Sequence, residues 1–334
     1  SCPSVVVGGE ELNGADPFAL VCSVSTCTNL EATYLQLNQA TNYTVASIPY
    51  APPYQYSCLQ NPVSVNVDDK WSPIVNLPFN FCFYGNNYNK CLIGSNGVIT
   101  FDTTTYAPGG YNSWSISNDL PNASLFRNTI FGVYHDIDPS LGGQVGWELI
   151  TLNTGCRALV AAWNDIPMFS SACNSQLYTG MIVLYENTNV IEVYLKSVQQ
   201  CEGWNQGRAM VGIQNYNRNK GIVAPGRAAS DEPWGTTNMN ECWRFTPSGG
   251  PSLLHSVKLY DFSGNLIAVG DTSTHTGGNV NVAFPNVCVS NTTSFVVKME
   301  YASATYSLAY VYYYDTIVVR AINSFQESYN PLPD

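Results

Sequence analysis

The sequence predicts an all-β protein of two sheet-built domains stapled by disulfides. Short runs that alternate or are solidly apolar follow one another closely, and Gly, Asn and Pro bound them. No long stretch carries helical periodicity. Eleven cysteines in 334 residues fall in none of the CxxC, HExxH or C2H2 spacings. They therefore read as disulfides, which persist in an oxidising exterior.

In chain order, residues 1–27 form an N-terminal segment, in which Cys22 and Cys27 flank a short stretch and would close a small loop. A larger domain is expected over 28–247. Its first hairpin runs from Phe81 to Cys91 with Asn86-Asn87 at the tip, since Asn tolerates the positive φ of a type I′ turn. With Gly85 opposite Tyr88, Cys82 faces Cys91 at a non-hydrogen-bonded position, where Cα atoms lie about 4.5 Å apart and a disulfide closes. Strands follow at Val98 to Phe101, Ile130 to Val133, Ala158 to Trp163, Met181 to Tyr185, Val190 to Leu195 and Met210 to Ile213. The best helical candidate is Asn118 to Asn128, with its Asn and Asp start signals. The stretch Thr246-Pro247-Ser248-Gly249-Gly250-Pro251-Ser252 is small, stiff and polar, as interdomain linkers are. Over 252–334 the alternation is cleaner: Val257 and Leu259, Leu266 and Ala268, Val280 and Val282, Phe295, Val297 and Met299, Tyr310, Tyr312 and Tyr314, then Ile317 and Val319. About six or seven strands in some eighty residues suggest an immunoglobulin-like sandwich. Cys58, Cys156, Cys173, Cys201 and Cys242 have no assigned partner. Because eleven is odd, one thiol is free or bonds outside the chain, and Cys2 and Cys288 are the candidates.

Composition narrows the function classes. A net charge of −11 with only 13 Lys+Arg argues against nucleic acid or an anionic membrane as partner, because both need a basic face. Only 11% of residues are charged, against a usual ~25%, and 22 Tyr, 13 Phe and 7 Trp argue against disorder. Such a surface favours broad polar contact over electrostatic steering. No apolar run reaches the ~18 residues of a membrane span, so none is expected. No basic-then-apolar leader opens the chain, so it is expected to start after a removed signal or to be cut from something longer.

The stretch Leu77-Pro78-Phe79-Asn80-Phe81-Cys82-Phe83-Tyr84-Gly85, then Ile93-Gly94-Ser95-Asn96-Gly97-Val98-Ile99-Thr100-Phe101, resembles the nidogen-like (NIDO-type) pattern of an apolar strand, an FYG turn and an SNG turn. Ile130-Phe131-Gly132-Val133-Tyr134-His135-Asp136-Ile137-Asp138-Pro139 is similar to that family's aromatic-Asp-x-Asp segment. With Gly221-Ile222-Val223-Ala224-Pro225-Gly226-Arg227 and Cys242-Trp243-Arg244-Phe245-Thr246-Pro247 closing it, the order resembles a module of large secreted surface proteins of Bacteroidota. Those proteins belong to the gliding-motility-associated, type IX secretion group, and many are adhesins. The resemblance covers roughly residues 28–247 and implies a nidogen-like β-sandwich. The tail from Ser252 resembles the Ig-like or PKD-like repeats found beside that module, through Asp271-Thr272 and Asp315-Thr316-Ile317-Val318-Val319. The sorting domain expected at the C-terminus of such proteins is not in this sequence, which implies a fragment or a removed part. An extracellular or cell-surface location is implied, with other copies or modules of the same assembly as partners.

Two constellations offer chemistry. In His135-Asp136-Ile137-Asp138 the carboxylates of Asp136 and Asp138 share one face of a strand, and Glu148 would add a third after the Gly142-Gly143 turn. A hard cation such as Ca²⁺ takes oxygen ligands of this kind. The bland alternative is a strand end whose acids cap a turn through backbone N–H groups. Asp68-Asp69 before Trp71 is similar and less specific. His135 has only His255 and His275 as fellow histidines, both in the other expected domain, and neither GxSxG nor a Cys–His signature appears. No enzyme is expected, and glycosidase-type hydrolysis by unplaced carboxylate pairs is the third-ranked function. Trp114, Trp204 and Trp234 lie in Gly/Asn/Ser-rich stretches, where flat rings suit sugar or partner contact. The alternative is that they pin loops onto the sandwich, while Trp71, Trp147, Trp163 and Trp243 read as core. In the resembled bacterial group, O-glycans sit on Asp-Ser/Thr motifs, which makes Thr103 and Thr316 candidates. Asn42, Asn122 and Asn291 fit the N-glycan acceptor of a eukaryotic secretory route. The function expected is an extracellular structural and adhesive module, and the alternative is a carbohydrate-binding lectin-type module.

Overall fold

The computed structural model describes residues 5–9, 18–22, 27–63, 67–152, 156–273, 278–302 and 310–322. The chain is all-β, with two short 3-10 turns and no α-helix among the described residues. It divides into two units, one built from residues 39–250 and one from 3–38 with 251–334. Residues 28–38, expected to open the larger domain, therefore belong to the C-terminal unit. The reason is strand pairing: Cys27–Gln36 lies between Val5–Gly9 and Gly278–Cys288, and Phe18–Cys22 runs parallel to Tyr310–Ile322.

The larger unit has two sheets. The seven-stranded one runs in the order Asn38–Ile48, Glu241–Ser252, Ile191–Ser197, Leu177–Tyr185, Arg157–Pro167, Gln144–Thr151, Asn61–Pro62. The six-stranded one runs Gly221–Val223, Met210–Gln214, Thr129–Tyr134, Val98–Thr100, Asn86–Gly94, Val75–Phe83. Thr129–Tyr134 and Met210–Gln214 are buried at every residue. Strands covered on both faces read as solid apolar runs, which is how these two look in sequence. Phe81, Phe83, Ile93, Ile99 and Ile130 share one core with Leu159, Trp163, Ile182, Val193 and Phe245. The residues of opposite phase, Leu92, Val98 and Phe131, join Trp71, Phe126, Tyr134 and Met210 in a second cluster.

The first hairpin turns earlier than expected. Tyr84 and Gly85 both carry positive φ, 46° and 85°, and Phe83 pairs with Asn86. A type I′ turn needs positive φ at both central residues, and a pair containing Gly supplies it more readily than Asn86-Asn87. Cys82 consequently faces Asn87 and Cys91 faces Val75, and both are buried free thiols instead of a disulfide. Cys27 does not close a loop with Cys22 either. It bonds to Cys288, its register partner on the neighbouring strand, so Cys288 is not the odd thiol. Cys2 lies outside the described residues. A second disulfide joins Cys173 to Cys201, Cys156 is disulfide-bonded too, and Cys58 and Cys242 are free.

No helix forms over 118–128. Gln214 takes up that segment's backbone groups, accepting from Asn122 N–H and donating to the carbonyls of Asn122 and Phe126. Pro121 removes a further helical donor. The expected linker is the second half of the strand Glu241–Ser252. That strand pairs with Asn38–Ile48 so closely that a Cβ at Gly249 would lie 1.9 Å from Thr41 Oγ1, which is why glycine is needed there.

The C-terminal unit has a three-stranded and a five-stranded sheet. Leu30, Ala32 and Phe284 of one, and Val257, Leu259, Val297, Met299 and Val319 of the other, are buried. Tyr310, Tyr312 and Tyr314 sit in one unbroken strand with Ile317 and Val319 but out of phase with them. Side chains alternate with period two, so the tyrosines point the other way and are 48%, 42% and 59% exposed.

Candidate functional site

On the larger unit, two acidic segments converge on one turn. The turn is Ser95-Asn96-Gly97, between Asn86–Gly94 and Val98–Thr100. Gly97 has φ +80°, and a Cβ there would lie 1.9 Å from the Val133 carbonyl oxygen, so the close approach requires glycine. Lys70 N–H donates to Ser95 Oγ at 3.0 Å and Ser95 N–H to the Lys70 carbonyl at 2.9 Å, laying Asp68-Asp69-Lys70-Trp71 along the turn. Trp71 anchors that segment, buried against Tyr106 and Phe126. Asn96 joins the parts. Its Nδ2 donates to Asp69 Oδ1 at 2.8 Å and to the Asn112 carbonyl at 2.9 Å. Its own N–H donates to Asn112 Oδ1 at 2.9 Å, and its Oδ1 accepts from Ile137 N–H at 3.1 Å. From the other side, Thr129–Tyr134 leads into His135-Asp136-Ile137-Asp138. There Phe169 N–H donates to the Asp136 carbonyl at 3.1 Å, and Ile137 bridges Met168.

One carboxylate oxygen each of Asp68, Asp69 and Asp136 lies within 4.8 Å of the others. Asp136 is 4% exposed. Its Oδ2 accepts the Trp204 indole N–H at 2.6 Å, while its Oδ1 has no hydrogen-bond partner. Burial pushes the Asp136 carboxyl up to about 7; the negative charges of Asp69, Asp68 and Asp138 add to this, and the Trp204 hydrogen bond opposes it. Burial, then Asp69 and Asp138, raises Asp68 to about 6. Burial also raises Asp69, against the Asn96 hydrogen bond. Clustered carboxylates resist ionising together, and such a set of hard oxygens takes up protons or hard cations.

The expected acidic set is thus redrawn. Asp136 belongs to it. Asp138 adds its charge, but its Oδ1 caps the turn Pro139–Leu141 by accepting from Ser140 N–H at 2.9 Å, the bland role weighed for it. Glu148 is engaged elsewhere, accepting from Tyr54 Oη–H at 2.9 Å and Gln60 N–H at 3.2 Å. Asp68 and Asp69 stand in its place. His135 is 1% exposed, its ring edge-on to Tyr178, and burial holds it well below its ordinary range, at about 3.

Two of the three loop tryptophans meet. The ring centroids of Trp114 and Trp204 are 5.4 Å apart, and Phe169 lies 5.1 Å from Trp204. The Cys173–Cys201 disulfide ties together the loops that carry Phe169 and Trp204. Trp234 is half-buried against the core, with the Arg227 guanidinium 4.9 Å over its ring, and makes no ring contact with the other two. Thr103 is half-buried in a turn and Thr316 is exposed on a strand. Sequence reasoning missed Asn96, Asn112 and Phe169. Asn96 lay inside the quoted SNG motif, whose central Asn is the signal that was readable.

A family model described as NIDO related matches residues 42–248, close to the limits of the larger unit. No curated protein and no solved structure matches the chain.

Proposed function

The chain belongs to the NIDO-related family, and on that premise we propose that it serves as an extracellular structural and adhesive module. Family and disulfides support a place outside the cytoplasm. No described helix is long and apolar enough to cross a membrane. The finer assignment is to a cell-surface or secreted filament of the Bacteroidota type IX secretion group, with an Ig-like or PKD-like C-terminal sandwich. It rests on the motifs quoted above.

One observation carries the adhesive role: the outward face of the five-stranded sheet in the C-terminal unit. Tyr312 and Tyr314 stand opposite Glu300 and Lys298, and Tyr260 opposite Val296 and Leu266. Leu266 and Val269, 52% and 60% exposed, extend the face to its edge. The tyrosines stand there among Lys258, Lys298 and Glu300, with the Lys298 ammonium 4.3 Å over the Tyr312 ring, a mixture of aromatic and charged side chains that protein contacts use. The partner we assign is another copy or module of the same assembly. Sedimentation velocity of the whole chain should show concentration-dependent association that the double variant Tyr312→Ser/Tyr314→Ser loses while its melting temperature stays. A wild-type chain monomeric at every concentration would overturn the assignment.

The Trp114–Trp204 pair favours a second function, glycan binding, since two neighbouring half-buried indoles, tilted 43° to one another, offer apolar faces to a sugar. Saturable binding on a glycan array that Trp114→Ala and Trp204→Ala abolish would move the assignment to a lectin. In both cases the protein acts by contact. Turnover on polysaccharide or peptide panels that Asp136→Asn destroys would contradict this.

A further inference from the structure

We propose that Asp68, Asp69 and Asp136 form a binding site for a hard divalent cation, Ca²⁺ first among them. Two independent observations meet here. The first is the donor set: three carboxylates from two distant stretches of chain, with oxygens within 4.8 Å of one another. Calcium takes oxygens at about 2.3–2.6 Å, so its shell reaches about 5 Å across and takes in these atoms. The second is the unpartnered Oδ1 of Asp136, on a side chain 96% removed from solvent. Buried polar atoms are hydrogen-bonded as a rule, and each exception calls for a partner. The other oxygen already holds Trp204, so Oδ1 is the atom left for an ion.

The surroundings fit that role. Asn96 fixes Asp69 through its amide and the 136–138 segment through its carbonyl oxygen, so the ligands are held in place before any ion arrives. Asp138 adds negative charge without giving up its turn-capping bond. Lys70, beside Asp69, is an exposed cation whose charge acts on Asp69. Asp68 and Asp69 are half-exposed, so water completes the six to eight oxygens that calcium prefers. A cation here would clamp the 68–71 segment to the 135–138 segment and, through the Asp136–Trp204 bond, set the position of the tryptophan pair.

The test uses the whole chain, dialysed against chelator and then given CaCl₂ alone. With affinity in the range of extracellular calcium modules, about 10⁻⁴–10⁻³ M, 10 mM Ca²⁺ should raise the melting temperature by about 3 °C or more over EDTA. Calorimetry should show one saturable site. Glu148→Gln, which removes a carboxylate outside the cluster, should keep the shift; Asp136→Asn and Asp69→Asn should lose it. If Asp136→Asn does not fold, the half-exposed Asp68→Asn takes its place and should weaken binding at least tenfold. No calcium-dependent shift in the wild type, or a shift that survives in both Asp variants, overturns the site. An equal shift with MgCl₂ overturns the preference for calcium.

Discussion

Two carboxylates of the larger unit are almost equally buried and opposite in every other respect. Glu192 is 1% exposed, and both its oxygens are engaged. Oε2 accepts from the hydroxyls of Tyr185 and Tyr194 at 2.6 Å each, and Oε1 meets the Arg244 guanidinium at 2.8 and 2.9 Å. Burial pushes its carboxyl up, but positive charge, Arg244's included, and the two hydroxyls carry it down to about 2. Asp136 is 4% exposed with one oxygen engaged, and the charges around it are other carboxylates, so it goes up to about 7. Burial is common to both. The difference lies in the partners: Glu192 meets donors or positive charge at both oxygens, whereas Asp136 has one donor and faces other carboxylates.

Removing either charge should therefore change stability in opposite directions. Glu192→Gln leaves the partly exposed Arg244 beside a neutral partner and should cost about 3 kcal/mol in urea denaturation, with an unchanged m-value. Asn96→Ala, which strips the side-chain hydrogen bonds to Asp69, the Asn112 carbonyl and Ile137 N–H together, should cost about 2–3 kcal/mol and abolish the calcium shift as well. Asp136→Asn should do the reverse and stabilise the metal-free protein at pH 8 by roughly 1 kcal/mol. The sign follows from linkage. The folded-state value for Asp136 lies above its ordinary 3.8, so its stabilising contribution is complete below about pH 4 and lost as pH rises through about 7. Asp68, Asp69 and Asp138 face it and shape the same window. Thermal melts in EDTA from pH 4 to 8 should show that loss in the wild type and a flatter profile in Asp136→Asn. If Glu192→Gln and Asp136→Asn shifted stability the same way, the contrast between the two sites would fail.

The smallest effect is chemical. Burial raises the thiols of Cys82, Cys91 and Cys242, the last two to about 12, whereas Cys58 is exposed. Alkylation of the native protein at pH 8 should label Cys58 within minutes and the other three only on unfolding. Rapid labelling of nearly every thiol would contradict both the disulfides and the burial.

The β character of the chain was legible because buried strands such as Thr129–Tyr134 are solid apolar runs. Register was harder to read. Two neighbouring pairs, Tyr84-Gly85 and Asn86-Asn87, compete for one turn. Shifting the tip by two residues moved Cys82 from Cys91 to Asn87. Alternation located the tyrosines of Tyr310–Ile322 without saying which phase faces inward, and only the unbroken strand to Ile317 and Val319 decides it. Asp136 was visible as a candidate ligand in the sequence. Asp68-Asp69 was visible as a similar acidic pair, but its joining Asp136 was not, because the two segments are distant in the chain and are brought together by the Asn96 turn.

Terbium luminescence tests the proposed cation site at Asp136 most directly. Trp204 is hydrogen-bonded to the proposed ligand, so Tb³⁺ bound there should emit when tryptophan is excited, Ca²⁺ should quench that emission by competition, and Asp136→Asn should be dark. Emission equally bright in Asp136→Asn, or none in the wild type, would mean that no cation completes this cluster.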